Sequence, residues 1–134
     1  MFNHATRVRV RYAETDKMGY VYYGAYAAFF EVGRVEALRS LGISYRSLEE
    51  QGVMLPVHDL TVNYHRPARY DDLLTVHTTI LALPSVRISF AYEVRNEAGE
   101  LIAQATTTLV FVDAATMRPR RAPTEVVDLL TPFY

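Results

Sequence analysis

The chain contains no cysteine, which excludes disulfides, thiolate metal sites and a cysteine nucleophile. Neither sign of charge dominates: the formal net charge is −1 and the pI about 6.4. The strongly basic footprint of a nucleic-acid binder is therefore missing, and the expected ligand is small. No apolar run approaches the roughly 18 residues that a membrane span requires, and the start Met1-Phe-Asn-His-Ala-Thr-Arg7 lacks the charged-then-apolar pattern of a signal segment. The expectation is a soluble, cytoplasmic protein. Several reactive motifs are also missing: a Gly-x-Ser-x-Gly elbow, a glycine-rich phosphate loop, a dinucleotide fingerprint and a His-Glu-x-x-His helix. The histidines His4, His58, His65 and His77 show no ligand spacing, so neither a metal nor another cofactor is expected.

What is present fits one domain over residues 1–134, large enough to bury about two-thirds of its unfolded surface. The longest helical pattern begins at Ala25. Tyr26, Ala27, Phe29, Phe30, Val32, Val35, Ala37, Leu38 and Leu41 recur at helical spacing, while Glu31, Arg34, Glu36 and Arg39 share the remaining face. Gly42 marks the stop. The first half is apolar on nearly every side, which predicts a helix wrapped by the rest of the chain. A short second helix follows Ser44, a good N-cap, and ends at Gly52.

Strand patterns occupy most of the remainder. Residues 6–12 alternate Val8, Val10 and Tyr12 against Arg7, Arg9 and Arg11, a row that reads as a solvated face. Val57–Arg66 places His58, Leu60, Val62 and Tyr64 on one face. Residues 73–83, Val86–Arg95 and Leu101–Asp113 are rich in Val, Ile and Thr, and Asn96–Gly99 reads as a hairpin loop. Pro123–Leu130 has the composition of a terminal helical turn. The order β-α-β-β-β-β predicts an α+β fold, a five-stranded antiparallel sheet curled around one long central helix. Its open edges and second face predict a homodimer, or a dimer of dimers.

Chemistry concentrates ahead of the long helix. A helix start exposes unsatisfied N–H groups with partial positive charge, suited to a carbonyl oxygen that becomes an oxyanion. Asp16 lies a few residues upstream, in the turn Asp16–Gly19. If the turn folds back, its carboxylate reaches the same carbonyl as nucleophile or general base. The competing reading is that Asp16 only closes the turn or caps the helix. Tyr20, Tyr22, Tyr23, Tyr26 and Phe29 either line a pocket or fill core, with core favoured for Phe29 and Phe30. His58 is the one histidine on an apolar strand face. Arg118, Arg120 and Arg121 form a basic turn, either solvated or suited to phosphate.

The stretch Val10-Arg-Tyr-Ala-Glu-Thr-Asp16-Lys-Met-Gly19-Tyr-Val21-Tyr22-Tyr23-Gly24-Ala-Tyr26 resembles the signature of 4-hydroxybenzoyl-CoA thioesterase-like proteins, the hotdog-fold acyl-CoA thioesterases. Tyr64-His-Arg66-Pro67-Ala68-Arg-Tyr-Asp71-Asp72 is similar to their turn between the second and third strands, and Met117-Arg118-Pro119-Arg120 to their ending. The resemblance spans roughly residues 6–123 and implies a hotdog fold and hydrolysis of an acyl-CoA to free acid and CoA without a cofactor. It implies catalytic roles for Asp16, the Tyr23 backbone N–H and the turn glycine Gly19. Tyr22, Tyr26 and His58 are the candidate acyl contacts, and Arg118, Arg120 and Arg121 the candidate CoA contacts. The chain departs from members resembling the Tol-Pal-associated subgroup, which often carry histidine at the position of Tyr23; a backbone donor does not depend on that side chain. Two other classes compete: a non-catalytic acyl-thioester binding module, and a hotdog dehydratase. The dehydratase would need a histidine with its acid, and none lies between His4 and His58.

Overall fold

The computed structural model describes all 134 residues. Five antiparallel strands form one sheet in the order β1-β4-β5-β6-β3, from β1 (Phe2–Arg9), β3 (Val57–Tyr64), β4 (Leu73–Ile80), β5 (Arg87–Arg95) and β6 (Leu101–Val110). Helix α1 (Tyr26–Ser40) packs on one face of the sheet. This is the hotdog arrangement expected from the sequence. Alternation explains the packing: Leu74, Val76, Thr78 and Ile80 of β4, with Ile88, Phe90, Tyr92 and Val94 of β5, all point inward and are buried. They meet Tyr26, Phe29, Phe30, Ala37 and Leu38 of α1. Gly33 permits the close approach, since a Cβ there would lie 2.6 Å from Thr78 Oγ1 and 2.7 Å from Val76 Cγ1.

The C-terminal end of α1 is closed as the sequence predicts. Gly42 has φ +87°, its N–H donates to Arg39 O, and the Ile43 N–H turns back to Leu38 O. Helix α2 (Tyr45–Glu50) starts where Ser44 Oγ accepts from the Ser47 N–H. Two short strands, β2 (Val53–Met54) and β7 (Val112–Asp113), then pair with each other, and α3 (Thr124–Leu130) closes the chain.

Three expectations change. β1 begins at Phe2 and stops at Arg9, because Phe2 pairs with Ile80 and is buried, while Tyr12 belongs to a 3-10 turn. The segment read as one strand, Leu101–Asp113, breaks before Val112, and β2 is a strand that no alternation announced. As expected of an open sheet, cover for α1 reaches one side, and Ala27, Ala28 and Val32 are exposed. Arg34, assigned to the polar face, is instead buried against the fold with its Nε on Tyr45 Oη. β3 lies at the sheet edge and bonds only β6, so its Val57, Leu60 and Tyr64 remain 49%, 41% and 50% exposed.

Candidate active site

The segment before α1 is held by backbone hydrogen bonds. Asp16 N–H donates to Tyr20 O at 3.0 Å, Gly19 N–H to Asp16 O at 3.0 Å, and Tyr22 N–H to Glu14 O at 2.8 Å. Val21 N–H reaches across to Ala68 O at 2.8 Å, which ties the turn to the loop after β3. Gly19 has φ +85°, a conformation costly for a residue with a Cβ. Glu14, buried, accepts Arg11 N–H at 2.7 Å and the Arg11 guanidinium at 3.0 and 3.3 Å. The same contact raises the Arg11 pKa.

Asp16 behaves differently. One oxygen, Oδ1, accepts the Met18 N–H at 2.9 Å, the turn-closing bond anticipated for an aspartate here. Oδ2 accepts no protein hydrogen bond. The half-buried carboxylate lines a cleft of about 370 Å³. Tyr23, the first residue of a 3-10 turn, Tyr23–Ala25, lines the same cleft, and the turn runs directly into α1. The Ala25 N–H is bonded to Tyr22 O, but the Tyr23 and Gly24 N–H groups have no acceptor in the chain. Asp16 and the first residue of the helix start, Tyr23, thus line one space.

Tyrosines frame that space. Tyr64 Oη donates to Tyr23 O at 3.0 Å and fixes the orientation of the turn. Tyr26 packs edge-on against Tyr64, ring centroids 5.4 Å apart. Burial, reinforced by Tyr64, pushes the Tyr26 hydroxyl up to about 12. Burial also raises Tyr64, so both phenols stay protonated at neutral pH. His65, Arg66 and Pro67 complete the rim.

The structure brings Asp16, Tyr23 and Tyr26 together, with Gly19 shaping the turn between them. It does not bring the remaining candidates to this cleft. Tyr22 lies outside it, exposed and against the Tyr23 ring at 4.6 Å. His58 is exposed on the edge strand, where a bulge separates Val57 from Asp59. Arg120 and Arg121 line another cleft of about 540 Å³ with Gln51 and Glu125, and Arg118 is exposed nearby. Tyr64, His65 and Arg66 are cleft residues that sequence patterns did not single out for function. Their sequence signal was a turn motif, and tertiary bonds such as Val21 N–H to Ala68 O and Arg69 Nη1 to Gly19 O carry that turn to Asp16. No group of three or more His, Asp or Glu lies close enough to hold a metal.

A helix wrapped on one side by a five-stranded sheet, with an acid before its open start, defines the hotdog class. The chain belongs to the thioesterase superfamily, whose family model matches residues 18–103, and its likeness to the following proteins makes it a thioester hydrolase. It is 38% identical over 112 residues to the putative acyl-CoA thioesterase YneP of Bacillus subtilis, covering 84% of this chain and 81% of that one. Over 120 residues it is 37% identical to the acyl-CoA thioester hydrolase YbgC of Escherichia coli, 90% of each chain. The DHNA-CoA thioesterase of Staphylococcus aureus superimposes with a TM-score of 0.95 at 36% identity, covering 99% of this chain and 91% of that one. A mutant 4-hydroxybenzoyl-CoA thioesterase complexed with 4-hydroxybenzoyl-CoA shares the fold at 20% identity and a TM-score of 0.85, covering 96% of this chain and 99% of that one.

Proposed function

We propose that the protein hydrolyses acyl-CoA thioesters at the Asp16 cleft. The observation that supports this reading is that Tyr23, whose N–H has no acceptor in the chain, lines one cleft with Asp16. The thioester carbonyl oxygen rests on the Tyr23 N–H, which polarises it and stabilises the negative charge that develops there. Asp16 Oδ2 either attacks the carbonyl carbon or takes a proton from the water that does. The C–S bond breaks, CoA leaves as its thiol after gaining a proton, and the acyl group ends as a carboxylic acid once water has added. Tyr64 keeps the Tyr23 peptide aimed, and Tyr26 forms part of the wall. Arg66 is the cation at this cleft that can meet the CoA diphosphate. Arg120 and Arg121 reach CoA from their separate cleft only if the cofactor arm extends that far or a second subunit presents them.

The protein acts as a dimer in this reading, with the open edge of β3 paired to its counterpart. The exposed Val57, Leu60 and Tyr64 beside uncovered Ala27, Ala28 and Val32 support it; sedimentation equilibrium giving only monomer would reject it. The activity is tested by thiol release from short, long, branched and aromatic acyl-CoAs. Binding of these esters without any thiol release would replace hydrolysis with a binding role.

A further inference from the structure

Four tyrosines line the Asp16 cleft, and their hydroxyl groups are not alike. Tyr20 Oη donates to Met18 Sδ at 3.0 Å, and Tyr64 Oη donates to Tyr23 O at 3.0 Å. Tyr23 is 64% exposed, so its hydroxyl is hydrated. Tyr26 is the exception. It is only 3% exposed, and its O–H reaches no acceptor in the chain. The Ala68 N–H is turned toward the phenol oxygen, which gives that oxygen a donor and leaves the phenol's own proton unused. Asp72 stands nearby but makes no hydrogen bond with it, and its Oδ2 accepts the Arg69 N–H at 2.8 Å. Burial keeps the phenol protonated at neutral pH, so it acts as a donor. Nor is Tyr26 among the exposed residues of β3 and α1 that pairing along β3 would cover.

We propose that the Tyr26 hydroxyl sets the specificity of this cleft, selecting short acyl-CoA thioesters whose acyl chain carries a keto oxygen. This rests on the thioesterase reading above. Before substrate arrives, water entering the cleft satisfies the phenol. A plain acyl chain expels that water and strands a buried donor, whereas a ketone, which only accepts, replaces the lost hydrogen bond. The walls around the phenol, with Val21, Pro67 and the rings of Tyr23 and Tyr64, suit the hydrocarbon on either side of that oxygen. At about 370 Å³ the cleft lies near the small end of ligand cavities, which limits the acyl group to a short chain. Tyr23 and Tyr26 are three residues apart, about 6 Å of 3-10 rise. An oxygen on the phenol therefore lies some carbons beyond a carbonyl held at the Tyr23 N–H.

Matched pairs that differ only by a ketone in place of a methylene test the assignment: 4-oxopentanoyl-CoA against pentanoyl-CoA, and 5-oxohexanoyl-CoA against hexanoyl-CoA. In both pairs the ketone is far enough from the thioester to leave its intrinsic reactivity little changed. In the wild type kcat/KM should favour the keto ester of at least one pair by about tenfold or more. Tyr26→Phe keeps the ring and should bring that ratio to within about twofold of one, by slowing the keto ester and speeding the plain one, which no longer strands a donor. Loss of folded protein cannot shift two substrates in opposite directions. Tyr64→Phe should slow both members of a pair alike and keep the ratio. The assignment is overturned by wild-type ratios near or below one in both pairs, by a preference that survives Tyr26→Phe, or by one that vanishes in Tyr64→Phe instead. If Tyr26→Phe does not fold, the wild-type and Tyr64→Phe ratios decide. If no thioester releases thiol, calorimetric binding of the same pairs separates the two ideas. A keto preference that depends on Tyr26 keeps the donor and removes hydrolysis, and equal binding removes both.

Discussion

Glu14 and Asp16 stand two residues apart on one loop, and their surroundings divide them. Glu14 is buried, and both its oxygens are bonded to Arg11. Asp16 is half-buried, gives one oxygen to the Met18 N–H and keeps the other free toward a cleft. A carboxylate whose acceptor sites are occupied stabilises the loop but has nothing left for a substrate. One whose geometry is held by a single short bond can be both placed and reactive. In this loop the first acid anchors and the second is available.

The largest effect expected from breaking this division is on turnover. Asp16→Asn keeps an oxygen for the Met18 N–H but loses the basic one, so kcat should fall on the order of 10²–10⁴ with little change in thermal unfolding. Unchanged kcat would remove Asp16 from the chemistry. Glu14→Ala should do the reverse, costing about 1–3 kcal/mol in denaturant unfolding by stranding the Arg11 N–H. Its residual kcat per folded molecule should stay well above that of Asp16→Asn; a stability equal to wild type would contradict the anchor.

Alkaline titration sharpens the picture of the cleft wall. Tyr26 holds its proton more tightly folded than unfolded, with a pKa of about 12 against 10.0. The native state therefore binds more protons between these values. The stability this provides is complete below pH 10 and is lost as pH rises toward 12, by on the order of 2 kcal/mol. Tyr26→Phe should flatten that part of the stability–pH curve, and an unchanged slope would assign it elsewhere. The smallest effect is expected at Tyr23→Ala, where the side chain is 64% exposed and the donor is backbone. Its kcat should stay within about threefold of wild type, and a large loss would mean that the phenol participates.

Much of the fold was legible because its signals are local. The α1 spacing, Gly42 and Gly52 at positive φ, the Ser44 cap and the alternation of β5 each follow from residues within a few positions of one another. Asp16, Gly19 and Tyr23 were legible as neighbours for the same reason. Arg34 was misassigned because a lone arginine at helical spacing reads as polar surface; its burial depends on Tyr45 and Tyr92, from two other elements. His58 drew attention by alternation, yet β3 is an edge whose outer half has no neighbouring strand to cover it.

By itself the sequence determined the long helix and the main strands, where the tight turn falls, and that metal-thiolate and cysteine chemistry are closed to this protein. Tertiary structure alone decided which strand became an edge, which acid was satisfied, and which loop met the helix start. Those outcomes depend on pairings such as Val21 with Ala68 and β3 with β6, between residues some 40 or more positions apart. Periodicity reports the face that a residue prefers to bury, while a site depends on what the folded chain then places opposite it.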